Sequence, residues 1–282
     1  CPLGSTDPAC TTTIDTPVSV ITANDDSGTV DNGLTGGVAV PTVLVNDTLN
    51  GVAVTPSTVA ITLATGSTVP PQLTFDTGTG QVTVNPSTPA GTYTFDYTIC
   101  EVLNPTNCDT ATVTVTVGVA VIDAVDDLFP AINGGSGGNT PSVLVNDTLN
   151  GLAVVPADVA LTPGASPNPG LVMNPDGTIT VSPDTPAGTY AYPYEICEVL
   201  NPTNCDTAVA TVVVTAPAID AVDDTPPPVD GENGGTTPSV LINDTLNGVA
   251  VVPAEVTLTP GTAPTPTTGS LVMNPDGTIT VA

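Results

Sequence analysis

The 282-residue chain contains no lysine, arginine or histidine, against 28 aspartates and glutamates, and its formal net charge is −28. Without cationic groups it cannot displace counterions from phosphate, which excludes nucleic-acid binding. A general base poised near neutral pH is usually histidine, sometimes lysine or a buried carboxylate, and only the last remains. Side-chain salt bridges are excluded too, so each carboxylate must be solvated, hydrogen-bonded to backbone N–H groups or neutralised by a metal ion. Tryptophan is absent and aromatics make up 3% of the chain, which leaves few ring faces on which a sugar could stack. No run approaches the ~18 consecutive apolar residues of a membrane helix, and no stretch reads as a signal peptide with a basic head.

What is present argues for folding rather than disorder. Hydrophobic residues form 40% of the chain and charged residues only 10%, so apolar surface for cores is ample despite the net charge. The 31 prolines and 27 glycines punctuate short runs rich in Val, Thr and Ile, the mark of many short strands.

Self-comparison exposes a long period. VLVNDTLNG begins at Val43 and Val143, and VLINDTLNG at Val240, spaced 100 and 97 residues. The pair Asp25-Asp26 recurs as Asp126-Asp127 and Asp223-Asp224, and CEVLNPTNCDTA occurs at Cys100–Ala111 and Cys197–Ala208. A unit of this size matches one immunoglobulin-like sandwich and exceeds solenoid repeats of roughly 20–45 residues. The expected fold class is therefore all-β, tandem Ig-like Greek-key β-sandwich repeats of about 97–101 residues. Residues 1–20 align with CEVLNPTNCDTATVTVTV and read as the final strand or strands of a preceding repeat. Residues 21–118 and 119–217 form repeats one and two, and 218–282 a third whose last two strands are missing or supplied by another segment. Either the sequence is a window on a longer chain or subunits complete each other by strand donation. The window is favoured, because residues 1–20 would donate only the last strand and not the tyrosine-rich one before it.

In the second repeat Val119–Val125, Ser142–Val145, Leu152–Val155, Val159–Thr162, Leu171–Asn174, Thr178–Val181, Thr189–Glu198 and Asp206–Thr215 read as strands, with Asn174-Pro-Asp-Gly177 as a hairpin turn. Alternation puts Tyr93, Phe95, Tyr97 and Ile99 on one face, inward, and Thr94, Asp96, Thr98 and Cys100 on the other. On the returning strand Ala111, Val113, Val115 and Val117 face inward, and Cys108 shares the outward face with Thr110, Thr112, Thr114 and Thr116. Cys100 and Cys108 are equidistant from a turn near Asn104-Pro105, which predicts a disulfide between them. Cys197 pairs with Cys205 by the same reasoning and Cys1 with Cys10 by homology, which implies an oxidising compartment.

Three kinds of site are candidates. Asp123, Asp126 and Asp127 recur as Asp220, Asp223 and Asp224 and, in part, as Asp25 and Asp26. They resemble the Ca²⁺ sites that stiffen cadherin-like and large bacterial adhesin repeats, while the alternative is that they cap turns. Thr48, Thr148 and Thr245 in NDTLN, with Thr110 and Thr207 in CDTA, resemble the O-glycosylation motif of Bacteroidetes secreted proteins. The NDT triplets also form N-glycosylation sequons at Asn46, Asn146 and Asn243, and the competing reading is a turn after a strand. The threonine row of Thr110 to Thr116 could present hydroxyls to carbohydrate or ice, but such a row more often is a solvated strand face. No catalytic constellation is recognisable, and the chain reads as a non-enzyme.

The period, the AVDD opening, VLVNDTLNG, PAGTY and CEVLNPTNCDTATVTVTV together resemble the repeats of giant surface adhesins and fibre proteins of Bacteroidetes, some exported by the type IX system and used in gliding. That resemblance implies an Ig-like or cadherin-like fold and a cell-surface location. The expected function is an extracellular stalk or filament of disulfide-stapled sandwiches, partnered by further copies of the repeat in the same chain or in neighbouring subunits. A carbohydrate-binding array is the alternative, and no cofactor is required beyond a candidate Ca²⁺.

Overall fold

The computed structural model describes residues 19–263 and 269–282, so the pair Cys1–Cys10 lies outside the described residues. The protein is all-β, with no α-helix among the described residues. It packs as two compact units. One takes in the described chain up to Asp123 with Asp147–Ala160 and Ile196–Asp206, the other Ala124–Asn146, Leu161–Glu195 and Thr207–Ala282.

The first unit shows how one sandwich is made. Gly91–Glu101 and Cys108–Val117 form a long antiparallel hairpin, flanked on one side by Val59–Leu63 and on the other by Asp26–Val30, which runs parallel to Cys108–Val117. Gly37–Val40, Gln81–Val84 and Leu73–Asp76 form the facing three-stranded sheet. Alternation along each strand sends one set of side chains inward, so Leu73, Val82 and Val84 of one sheet join Phe95, Tyr97, Ile99, Val113 and Val115 of the other in a single buried cluster. Phe75 and Phe95 meet across it with ring centroids 4.9 Å apart. Two facing sheets closed by a parallel first strand make this an immunoglobulin-like β-sandwich.

The entry strand changes sheets. Ile21–Thr22 pairs with Thr48–Leu49, and a few residues later Asp26–Val30 pairs with Cys108–Val117. The same switch recurs between Ile122–Asp123, paired with Thr148–Leu149, and Asp127–Leu128, paired with Cys205–Thr215. The sequence pattern Val119–Val125 predicts one strand there, but the chain is interrupted where it crosses. Asn50 (φ 53°) and Gly51 (φ 75°) close the hairpin between Thr48–Leu49 and Val52–Ala53, and the same two residue types return with positive φ at Asn150-Gly151 and Asn247-Gly248. Two successive positive φ values are what a two-residue hairpin turn compatible with strand twist requires. At Gly33 a Cβ would lie 1.7 Å from the Thr88 carbonyl oxygen, so this backbone approach admits only glycine.

One strand expectation is corrected. Ser142–Val145 contains a 3-10 turn over Val143–Val145, with the Ser142 hydroxyl accepting from Leu144 N–H. Val143 and Leu144 are consecutive and both buried, which strand alternation forbids and a turn allows. The NPDG turn forms as read, with Gly177 at φ 81° and its N–H donated to Asn174 O at 2.9 Å.

Cys100 and Cys108 occupy directly opposed positions in the hairpin. They are joined by a disulfide with S–S 2.02 Å, as are Cys197 and Cys205 at 2.08 Å, each with Cα atoms 4.1 Å apart. Cross-linking a loop this short stabilises by roughly 2–3 kcal/mol on the chain-entropy account. The double change Cys100→Ser with Cys108→Ser is therefore expected to lower the unfolding free energy of the first unit by about that amount. Urea titrations of the two proteins check this, and coincident transitions would contradict it.

Candidate functional site

In a chain without cations, the sites of interest are the places where carboxylates are satisfied. The most enclosed gathers around Tyr97, which alternation drives into the core, where it is fully buried. Its hydroxyl lies 3.0 Å from Val43 O, 3.0 Å from Asp47 Oδ2 and 3.2 Å from Asn24 O. One proton cannot be donated to three acceptors at once, so the pocket holds more acceptors than donors. Asp47 is completely buried and accepts Asn24 N–H at 2.7 Å through its other oxygen. Beside it Asp26 Oδ2 is buried without a hydrogen-bond partner.

The electrostatics follow from that surplus. Burial, with the Asp47 and Asp25 charges adding to it, pushes the Asp26 carboxyl up to about 6. Burial also raises the Asp47 carboxyl, opposed by the hydrogen bonds from Asn24 and Tyr97. Burial and the two neighbouring carboxylates push the Tyr97 hydroxyl up, so it stays protonated and remains a donor.

A second polar knot closes the far end of the hairpin. Glu101 shares the inward parity of Ile99 and is 8% exposed. Its carboxylate accepts from the Ser19 hydroxyl and from Asn107 Nδ2. Hydrogen bonds from Ser19, Asn107 and Asn104 hold it below the usual carboxylate range. Glu198 repeats the arrangement, accepting from Asn204 Nδ2 at 3.0 Å and from Ala120 N–H at 3.4 Å. Neither glutamate figured among the sequence candidates, although strand parity marks both as inward. Asp47 was passed over as well, hidden inside a motif read for its threonine.

The aspartates proposed for Ca²⁺ are placed differently from one another. Asp25 is exposed and its Oδ1 accepts Thr112 N–H at 2.8 Å, one residue before the parallel ladder begins at Val113. Asp126 does the same for Val209 N–H at 2.8 Å, so these carboxylates extend the ladder where the entry strand crosses between sheets. Asp127 is buried, Asp123 exposed, and Asp220, Asp223 and Asp224 all exposed. Among the described residues, the one trio of ligand-type side chains with donor atoms within 4.8 Å is Glu195, Cys197 and Cys205, and its sulfurs belong to a disulfide.

The glycosylation candidates divide by position. Thr110 and Thr207 are exposed, whereas Thr48, Thr148 and Thr245 are half-buried in short strands. Asn46, Asn146 and Asn243 are exposed, yet their amide nitrogens are donated to backbone carbonyls of the entry segment, Asn46 to Asp25 O at 2.9 Å and Asn146 to Val125 O at 3.1 Å. The NDT motif thus clamps the start of each repeat. The threonine row is internally engaged, Thr110 with Thr98 at 2.9 Å and Thr112 with Asp96 at 2.7 Å. Every Phe and Tyr is buried or half-buried; Tyr93 and Tyr190, expected inward, lie half-buried at the strand starts and donate to Pro89 O and Pro186 O.

No protein-family model matches the chain, and no curated protein does. Solved structures with a similar arrangement include the human desmocollin-1 ectodomain, with a TM-score of 0.30 and 10% identity over 75% of this chain and 44% of that one. Mouse cadherin-23 EC22-24 gives 0.31 and 10% over 70% and 64%. An endo-fucoidan hydrolase of glycoside hydrolase family 107 gives 0.30 and 14% over 70% and 29%. The chain spans less than two thirds of each of these proteins, and likeness at this level assigns it no function.

The two polar knots act oppositely with pH. Because the fold raises Asp26 from 3.8 to about 6, it favours the neutral acid. That contribution is complete below the unfolded value and is lost as pH rises through about 6. Glu101 is lowered, so its contribution is present above the ordinary glutamate range and is lost as pH falls through its own depressed value. The thermal midpoint of the first unit is expected to be highest at about pH 4 and to fall as pH rises from there through about 6, with a shallower fall in Asp26→Asn. Calorimetry across pH 3–8 tests this, and an equal slope in both proteins would refute the role given to Asp26.

Proposed function

We propose that this chain is part of an extracellular stalk, a load-bearing array of immunoglobulin-like repeats spanning 21–118, 119–217 and 218–282. The observation that carries this reading is the parallel pairing of Asp26–Val30 with Val113–Val117 in the first sandwich. A first strand parallel to the last means that the chain enters the sandwich at one pole and leaves at the other. Tension between those ends loads the ladder hydrogen bonds in shear, so they resist together instead of opening one at a time.

The disulfides support the same reading. Each bridges the two longest strands at their turn end, so a sandwich pulled open keeps its hairpin tip closed. Disulfides also persist in oxidising, extracellular surroundings. No helix among the described residues is long and apolar enough to cross a membrane. Full acidity adds self-repulsion that keeps neighbouring stalks apart, and the lack of Lys and Arg leaves trypsin no cleavage site.

Single-molecule pulling through the chain ends tests the proposal. The first sandwich is expected to rupture in a discrete force peak, and reduction is expected to lengthen its extension by about 24 Å, the eight residues of the loop at about 3.5 Å each less the bridged span. Smooth extension without a rupture peak would overturn the load-bearing reading.

A further inference from the structure

The segment that leads out of the first sandwich is short and held at both ends. Gly118 N–H, just past Cys108–Val117, donates to Val30 O at 3.0 Å. Two residues later Ala120 is 2% exposed, its carbonyl accepts Asn204 Nδ2 at 2.8 Å, and its N–H reaches Glu198 Oε2 at 3.4 Å. Only Val119 lies between the residue fixed to the first sandwich and the residue fixed to the tip of the second long hairpin, Gly188–Glu198 with Cys205–Thr215.

The same tip makes a second, separate contact with the first sandwich. Asn201 stands midway between Cys197 and Cys205, and its Oδ1 accepts Ala90 N–H at 2.7 Å across 111 residues of sequence. Asn201 is 9% exposed, and its Nδ2 is buried without a hydrogen-bond partner. The side chain therefore makes one hydrogen bond among the described residues, and that bond goes to the first sandwich. Burying the amide nitrogen unpaired costs free energy that no contact within the tip offsets. The surrounding packing is thin. Leu34 and Ser87 of the first sandwich and Val199 and Leu200 of the tip line a groove of about 260 Å³, and Val199 is 53% exposed. With so little apolar surface buried, the contact depends on polar groups held in position.

What holds them is the closure of the tip. Glu198 N–H donates to Asn204 O at 2.9 Å, Asn204 N–H to Asn201 O at 2.8 Å, and Val199 N–H to Asp158 O at 2.9 Å, while the Cys197–Cys205 disulfide shuts the loop behind them. Closing so short a loop covalently removes conformational freedom that Asn201 and Asn204 would otherwise lose on docking. All of these residues lie within the first compact unit.

We propose that the tip Glu198–Asn204 is a connector whose partner is the first sandwich of the same chain. It seats Asn201 on Ala90 and pins the linker at Ala120, and its disulfide positions these groups for docking in addition to stapling its own hairpin. A linker alone leaves neighbouring domains free to move; the second tie at Ala90 removes that freedom. The joint is local to the first compact unit and holds whether or not the chain bears load.

Hydrogen exchange read amide by amide on the whole chain, together with limited proteolysis, tests this. Asn201→Ala is expected to speed exchange at Ala90 by about fivefold or more, as loss of one hydrogen bond does, and to speed elastase cleavage after Val119, Ala120 and Val121 to a similar degree. The pair Cys197→Ser with Cys205→Ser is expected to do both while the Val212 and Val214 amides stay as slow as before, which shows the hairpin still folded. Unchanged linker cleavage in Asn201→Ala overturns the connector, even where Ala90 exchanges faster. Faster exchange that spreads to Val212 and Val214 in the cysteine pair makes the disulfide a staple of its own hairpin and overturns its positioning role.

Discussion

Everything polar in this structure is arranged under one constraint: no side chain carries a positive charge. Carboxylates that other proteins would pair with Arg or Lys must here be satisfied by N–H and O–H donors, and those are fixed in number by the backbone and by a few Asn, Ser, Thr and Tyr side chains. Where donors suffice, as around Asp76, Asp176 and Asp276, hydrogen bonds from a threonine hydroxyl and backbone N–H hold the carboxyl below its ordinary range. Where they run short, as around Tyr97, burial dominates and a carboxyl is pushed toward its neutral form. The sign of each shift therefore reports the balance between burial and the hydrogen bonds a carboxylate receives.

The same constraint explains why the strand crossing is acidic. When the entry segment leaves the small sheet for the large one, an N–H of the last strand loses its ladder partner, and a buried or half-buried N–H left unmade is costly. A carboxylate with both oxygens accepting is well suited to replace the lost carbonyl, and Asp25 and Asp126 do so for Thr112 and Val209. Asn46, Asn146 and Asn243 then tie the crossing to the NDT turn by donating to backbone carbonyls on its other side. The residues of the candidate ion and glycan motifs also form a hydrogen-bonded clasp at the entry of the repeats. The clasp lies where the entry strand joins the large sheet by parallel pairing in the first two repeats.

Much of the long hairpin was legible beforehand, for a physical reason. A strand has a period of two, so parity alone placed Phe95, Tyr97 and Ile99 inside and set Cys100 opposite Cys108. Parity also pointed to Glu101 as an inward carboxylate, a signal left unused because a charged residue is expected outside. The short segments were harder to read. Val143-Leu144 looks like a strand by composition, but both residues are buried in a turn, and no local pattern announces that.

By itself the sequence determined the repeat length, the all-β composition, the alternating faces and the cysteine pairing within each described hairpin, since all of these follow from local periodicity and chain geometry. Tertiary structure decided which carboxylates cap a ladder and how deeply each side chain is buried. Leu171–Val181 and Leu271–Val281 make the distinction plain: their sequences are identical, yet one inner face is sealed and the other open. Burial depends on what another part of the chain brings to the contact, and an eleven-residue stretch carries no record of its cover.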